Sequence, residues 1–195
     1  MSLRDELRVP VNHDFDLSKI DANSTPGLKQ KKGHKDKDWA RDQLAAVGAD
    51  LATMQEQLFA MAKAGGSRRR VLLVLQAMDC GGKDGTVKKV AGTMNPAGLS
   101  IVGFGKPTAE ELAHDFLWRI RRALPVAGQI GVFNRSQYED VLIARVHNLV
   151  PHDVWLGRYD KINTFEAELA ASGLTLLKVM LHISKDEQAE RLQER

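Results

Sequence analysis

Apolar residues recur along the first third of the chain at Leu44, Val47, Leu51, Met54, Leu58 and Met61, in steps of three and four. That period predicts one long amphipathic helix from about Asp38 to Ala64. Gly65 and Gly66 supply its stop. The stripe fits packing on the chain's own domain, and it also fits a helix–helix seam with a second copy. After Gly66 the period changes. Val71–Leu75 is an unbroken aliphatic run of strand length, and Leu99–Phe104, Gln129–Phe133 and Leu174–Ile183 read as further strands. Helices are predicted between them, from about Lys83 to Met94, Thr108 to Leu124, Tyr138 to His147 and Arg158 to Ala171. Thr108-Ala109-Glu110-Glu111 and Ser184-Lys185-Asp186-Glu187 are capping boxes, the second opening a final helix. Strand–helix alternation predicts an α/β fold with a parallel sheet between helices. The chain divides into a polar N-terminal arm (1–36), the long helix (37–66) and an α/β core (67–195).

Composition narrows the class. A chain of 195 residues, 43% hydrophobic and 27% charged, fits one globular domain, or one with a small appendage. The one cysteine, Cys80, excludes an intrachain disulfide and suits a reducing compartment. The run Val71–Leu75 is far shorter than the ~20 apolar residues of a membrane span. Met1 to Glu6 has no apolar stretch of a secretory leader, so a cytoplasmic protein is expected. A net charge of +3 decides little by itself. Placement says more. After the turn signal Asn23–Gly27, Lys29, Lys31, Lys32, Lys35 and Lys37 fall within nine residues. They form either a solvated arm or a basic strap laid near an anionic site.

The strongest local signal is Ala77-Met78-Asp79-Cys80-Gly81-Gly82-Lys83, which follows a buried strand and precedes a helix. Gly81 and Gly82 let backbone N–H groups converge. The helix N-terminus adds partial positive charge, and Lys83 adds a full one. The segment is therefore read as a phosphate cradle. It departs from the ordinary ATPase pattern at Ala77, where glycine is usual, and at Asp84, where a magnesium-binding hydroxyl is usual. A carboxylate inside such a loop repels phosphate unless a divalent cation lies between them, so Asp79 is a candidate Mg²⁺ ligand.

A second constellation ends the strand before residue 134: Asn134-Arg135-Ser136, with Glu139 and Asp140 opening the next helix. An arginine at a strand's carboxyl edge, beside a phosphate cradle, is placed to stabilise charge on a transferring phosphoryl group. Glu139 is a second candidate metal ligand, or simply N-terminal helix charge. Lys88, Lys89, Lys106, Arg119, Arg122, Arg145, Arg158 and Lys161 lie on elements feeding this edge. As a set they suit a long anion. Nucleic acid is not the expected one, because aromatics are only 6% and no nucleic-acid module is visible. His114, His147, His152 and His182 lack a zinc spacing, and neither G-x-S-x-G nor a Cys/His nucleophile pair is present.

These residues resemble a known family. Val74–Asp79 with Gly82–Thr86 resembles the Walker A segment of the polyphosphate kinase 2 family, and Phe133–Ser136 with Tyr138–Leu142 resembles its Walker B segment. Asn95-Pro96, Pro107-Thr108, His114–Arg119, Arg158–Glu166 and Leu181–Ser184 with Glu187, Gln188 and Arg191 also match. The resemblance runs from about Asp16 to Arg195. It implies a P-loop kinase fold of thymidylate-kinase type with a helical lid. It implies Mg²⁺-dependent phosphoryl transfer between inorganic polyphosphate and a nucleotide, with AMP and ADP phosphorylation favoured. Homodimers or homotetramers, and adenine or guanine nucleotides, are implied as well. By the same resemblance Asp79, Lys83 and Arg135 are the catalytic residues. Gly81, Gly82, Lys83, Asp84, Gly85, Thr86 and Asn134 are the candidate phosphate- or nucleotide-binding residues, and Lys88, Lys89, Lys106, Arg119 and Arg122 the candidate polyphosphate-binding ones. The Asn-Arg-Ser-x-Tyr-Glu-Asp form resembles the branch accepting both AMP and ADP. Family members continue beyond the helix opening near Lys185, so this sequence is expected to be either a fragment or a naturally short form. An ATP-dependent nucleoside monophosphate kinase and a catalytically weak binding module are the alternative readings.

Overall fold

Alternate side chains of the first strand, β1 (Arg70–Ala77), enter two separate cores, as a strand covered on both faces must. Leu72 and Val74 join one cluster, while Leu75, with Val71 and Leu73 packed around it, joins the other. β2 (Leu99–Gly103), β3 (Ile130–Asn134) and β4 (Leu174–Leu181) complete a parallel sheet in the order β2-β3-β1-β4. β1 therefore lies between β3 and β4. In β3 the same alternation sends Phe133 to the first core and Ile130 and Val132 to the second. The protein is known here from a computed structural model, which describes residues 3–10, 15–24, 26 and 36–195.

Eight α-helices are seen among the described residues. α1 (Leu3–Leu7) lies in the arm and α2 (Asp36–Lys63) is the long helix. α3 (Lys83–Val90) follows β1, and a 3-10 turn at Ala91–Thr93 carries it to the predicted end near Met94. α4 (Ala109–Leu112), α5 (Trp118–Arg122), α6 (Glu139–Val146), α7 (His152–Ala171) and α8 (Lys185–Gln193) complete the chain. Lys29, Lys31, Lys32 and Lys35 lie outside the described residues, as does the side chain of Lys37.

Two helix predictions are corrected. The helix expected from Thr108 to Leu124 is two short helices. The Thr108–Glu111 capping box forms with both of its reciprocal bonds. Asp115 then breaks the run, accepting the Leu117 N–H on Oδ1 at 3.0 Å and the Trp118 N–H on its carbonyl at 2.8 Å. A short side chain that offers the backbone this alternative ends a helix. α7 begins at His152 rather than Arg158, with Pro151 (φ −54°) as its N-cap.

The stripe on α2 splits. Leu51 and Leu58 pack on the second core, but Val47, Met54 and Met61 are exposed. The docking seam runs instead through small and polar residues. Gly48 faces Thr93, and buried Gln55 accepts the Asn95 N–H at 3.2 Å. Gly128, at φ +83°, lies so close to Ala62 that an added Cβ would sit 2.6 Å from the Ala62 Cβ. Apolar periodicity does not register a seam made of glycine, alanine and glutamine.

Candidate active site

Strand register positions the site. Leu75 of β1 pairs with Asn134 of β3, so the loops leaving the two strands emerge side by side. The loop after β1 curls through Cys80 (φ +59°) and Gly82 (φ +91°), which caps α3. A side chain at Gly81 would put its Cβ 2.6 Å from the Ala77 Cβ and 2.8 Å from the Met78 carbonyl. This turn fits only without one. Lys83 is buried beneath the loop, its Nζ donating to the carbonyls of Ala77 (3.0 Å) and Met78 (3.2 Å). The ammonium is thus fixed in the loop, where α3's N-terminal dipole also favours an anion.

Across the register, the Arg135 N–H donates to the Leu75 carbonyl at 3.1 Å. Arg135 takes φ +66°. For a residue with a Cβ this left-handed backbone costs roughly 1–2 kcal/mol and persists only where flanking contacts over-determine it. Its Nη2 lies 3.1 Å from Oδ1 of Asp79, and the Asn134 amide donates to Asp84 Oδ1 at 2.5 Å. α8 closes over the loop from the other end of the chain. Gln188 donates to the Asp79 carbonyl at 2.9 Å and Arg191 to the Cys80 carbonyl at 3.1 Å, while Arg191 Nε pairs with Glu187 at 2.7 Å.

Two clefts meet at Arg135. The first, about 480 Å³, is lined by the loop from Asp79 to Gly85, Asn134, Arg135 and Arg195. The second, about 500 Å³, is mainly apolar, with Leu112, Ile143, Leu149 and Val150 in its wall, and Lys106, Glu139 and Arg158 among its polar members. Phe104, Gly105 and Arg135 line both.

Most predicted phosphate-site residues come together in the first cleft: Asp79, Gly81, Gly82, Lys83, Asp84, Gly85, Asn134 and Arg135. The Thr86 hydroxyl instead bonds back to the Gly82 carbonyl at 3.0 Å. Glu139 lines the second cleft, accepting from Gln76 at 3.3 Å. Three of the five basic residues, Lys106, Arg119 and Arg122, share one cleft beside the second. Lys106 borders both the second cleft and a third, about 370 Å³, that also takes Arg122, whose guanidinium sits over the Trp118 ring at 4.8 Å. Arg119 is buried, donating to the Gly105 carbonyl (2.9 Å) and Asp140 (3.1 Å), so its charge is already engaged within the fold. Lys88 and Lys89 lie on the last turn of α3 and line neither cleft.

Among the described residues no group of three His, Cys, Asp or Glu could by itself hold a metal. Asp79 and Asp84 are hard oxygen donors bordering the phosphate cradle. That donor set fits a divalent cation completed by phosphate oxygens and water, not a closed protein cage. No helix among the described residues is long and apolar enough to cross a membrane.

Just beyond Arg135 in the chain, Gln137 and Tyr138 enter a network with Glu166 and Lys178, in which the family resemblance matches Tyr138 and Glu166 without giving them a role. Glu166 Oε1 accepts from Gln137 Nε2 (2.9 Å) and the Tyr138 hydroxyl (2.7 Å), and its Oε2 pairs with Lys178 Nζ (2.7 Å), which also donates to the Tyr138 oxygen (2.9 Å). Burial, with the nearby Glu166 carboxylate adding to it, pushes the Tyr138 phenol up to about 12. Burial disfavours the Lys178 ammonium, but its bonds to Glu166 and Tyr138 outweigh this and raise its pKa. The apolar wall of the second cleft joins segments that carry no common motif. The α8 contacts to the loop use Gln188 and Arg191, which the resemblance matches without giving them a role.

Residues 34–195 match the family model described as polyphosphate kinase 2. The chain is 46% identical over 190 residues to an AMP/ADP-polyphosphate phosphotransferase of Meiothermus ruber, covering 97% of this chain and 67% of that protein. It is 40% identical to an ADP-polyphosphate phosphotransferase of Rhodopseudomonas palustris, covering 95% of this chain and 65% of the relative. The crystal structure of polyphosphate kinase 2 from Arthrobacter aurescens superposes on all of this chain and 66% of that one, with a TM-score of 0.91 and 48% identity. The chain thus spans about two thirds of the length of these relatives. Its parallel sheet, its glycine-rich loop between β1 and α3 and these similarities agree that it has a P-loop kinase fold and belongs to the polyphosphate kinase 2 family.

Proposed function

We propose that this chain carries the catalytic core of a polyphosphate:nucleotide phosphotransferase, phosphorylating AMP or ADP with inorganic polyphosphate. One observation carries this reading. Arg135 stands where a phosphate-cradling cleft meets an apolar cleft large enough for a nucleoside. Polyphosphate occupies the first, held by the loop N–H groups and Lys83. The acceptor nucleoside occupies the second, with its terminal phosphate toward Arg135. An acceptor oxygen attacks the terminal phosphorus, the donor anhydride bond breaks, and Arg135 stabilises the charge on the transferring group. No covalent enzyme intermediate is needed. Asp79, with Asp84 beside it, would hold Mg²⁺, which when bound neutralises phosphate charge.

The relatives' names, which join polyphosphate to AMP or ADP, support this assignment. The catalytic unit is residues 67–195, with α2 as its brace. A second copy of the chain fits the outer face of α2, where Val47, Met54 and Met61 stand exposed at seven-residue spacing. Met54→Lys tests that pairing by sedimentation.

The deciding assay offers the chain polyphosphate and Mg²⁺ with AMP or ADP separately. ADP formed from AMP, or ATP formed from ADP, with polyphosphate as sole donor supports the reading. Phosphorylation of AMP only when ATP is the donor replaces it with a nucleoside monophosphate kinase. Tight binding without turnover replaces it with a binding module.

A further inference from the structure

We propose that Glu166 is a positioning residue for phosphoryl transfer: acting through Gln137 and Tyr138, it holds Arg135 at the junction of the two clefts. This rests on the phosphotransfer reading above.

Glu166 lies on α7 and borders neither cleft, so it does not touch substrate. Its reach is through the chain that follows Arg135. Ser136 and Gln137 are buried, at 0% and 1% exposure, immediately after the half-buried arginine. Gln137 Oε1 has no partner, leaving Nε2 to Glu166 as that side chain's bond. Tyr138 binds the same carboxylate oxygen. Arg135 is therefore held by its own N–H on Leu75 and, two and three residues further on, by Gln137 and Tyr138 on Glu166. Such pinning is what a left-handed residue with a Cβ requires. The carboxylate is itself oriented by Lys178 on β4. α7 supports the same stretch a second time, where Arg158 donates to the Asp140 carbonyl at 2.5 Å.

A merely structural network would weaken the fold and leave the chemistry of each folded molecule alone. A positioning role predicts something narrower. Glu166→Ala should lower kcat per folded enzyme by about tenfold or more, with each KM moving less than about threefold, because only transition-state contacts are lost. Glu166→Gln keeps an acceptor for Gln137 and Tyr138 and should recover most of the rate. In an Arg135→Lys background Glu166→Ala should cost less than about twofold, since coupled residues are not additive. An equal loss in both backgrounds, or no loss of kcat, overturns the proposal.

Hydrogen exchange supplies a readout independent of turnover. The Arg135 amide should exchange about tenfold faster in Glu166→Ala and near the wild-type rate in Glu166→Gln. Unchanged exchange in Glu166→Ala also overturns the proposal. Should Glu166→Ala fail to fold, Tyr138→Phe removes one of the two links and should give a smaller change in the same direction. No change in that variant's exchange or kcat counts against the proposal. If the wild-type chain does not use polyphosphate, the functional reading fails by itself while the exchange experiment still decides this one.

Discussion

Arg135 and Asp79 form an ion pair at 3.1 Å although 56 residues separate them in sequence. Both side chains are well exposed, so the pair contributes little to folding, about 1 kcal/mol at most. Its value is in what each group faces. Arg135→Ala should lower kcat by roughly 10²–10³-fold, the usual loss of one charge-stabilising donor, with thermal stability nearly unchanged. Steady-state kinetics beside a melting curve checks both halves, and near-wild-type turnover refutes the role.

Asp79→Asn removes the carboxylate but keeps the size. The half-saturating Mg²⁺ concentration should rise by about tenfold or more, because a hard cation loses an anionic oxygen ligand. A magnesium titration of the rate measures this, and chelating the metal should abolish turnover in the wild type. An unchanged metal requirement in Asp79→Asn removes Asp79 from metal binding.

Lys83 holds two carbonyls of its own loop, so its loss acts twice. Lys83→Met should abolish measurable turnover and weaken triphosphate binding by calorimetry. Lys83→Arg should rescue poorly, since a planar fork does not fit the niche of a compact ammonium. Full activity in Lys83→Arg would show that charge alone suffices.

Gly128→Ala should destabilise the fold by about 1–3 kcal/mol, from overpacking against Ala62 and from its left-handed backbone. Adding Ala62→Gly should return only the packing part. Chemical denaturation of the single and double variants separates the two.

Tyr138 carries a pH signature. Its folded pKa, about 12, stands above the ordinary 10.0. Between those values the unfolded chain sheds the phenolic proton while the folded chain keeps it, so stability falls as pH rises. The contribution is whole below pH 10 and lost as pH passes about 12. Tyr138→Phe should be less stable than wild type at about pH 8, with the gap narrowing as pH climbs from 10 toward 12. A gap that stays constant over that range contradicts the assignment.

Val71–Leu75 and the glycine turn after it make β1 and the tight loop into α3 legible in the sequence, because a buried parallel strand and a glycine turn each leave a local mark. The role of Asp115 leaves no such mark. A single aspartate inside a helical pattern ends the helix or not according to whether its side chain finds a backbone N–H. The α2 seam is hidden for another reason. Gly48, Gln55 and Ala62 pack by closeness of approach, not by hydrophobicity. The apolar wall of the second cleft, and the pairing of Lys178 with Glu166, arise through tertiary contact alone.

The pairing of Leu75 with Asn134 has a wider consequence. Two neighbouring strands set the spacing of the loop carrying Asp79 and the loop carrying Arg135, and from the chain between them only the start of α3 and β2 brace it. Insertions or deletions at the exposed turn residues Ala113 and His114 should therefore leave the spacing of these two loops undisturbed. That stretch is the ground on which substrate preference can be re-engineered without rebuilding the chemistry.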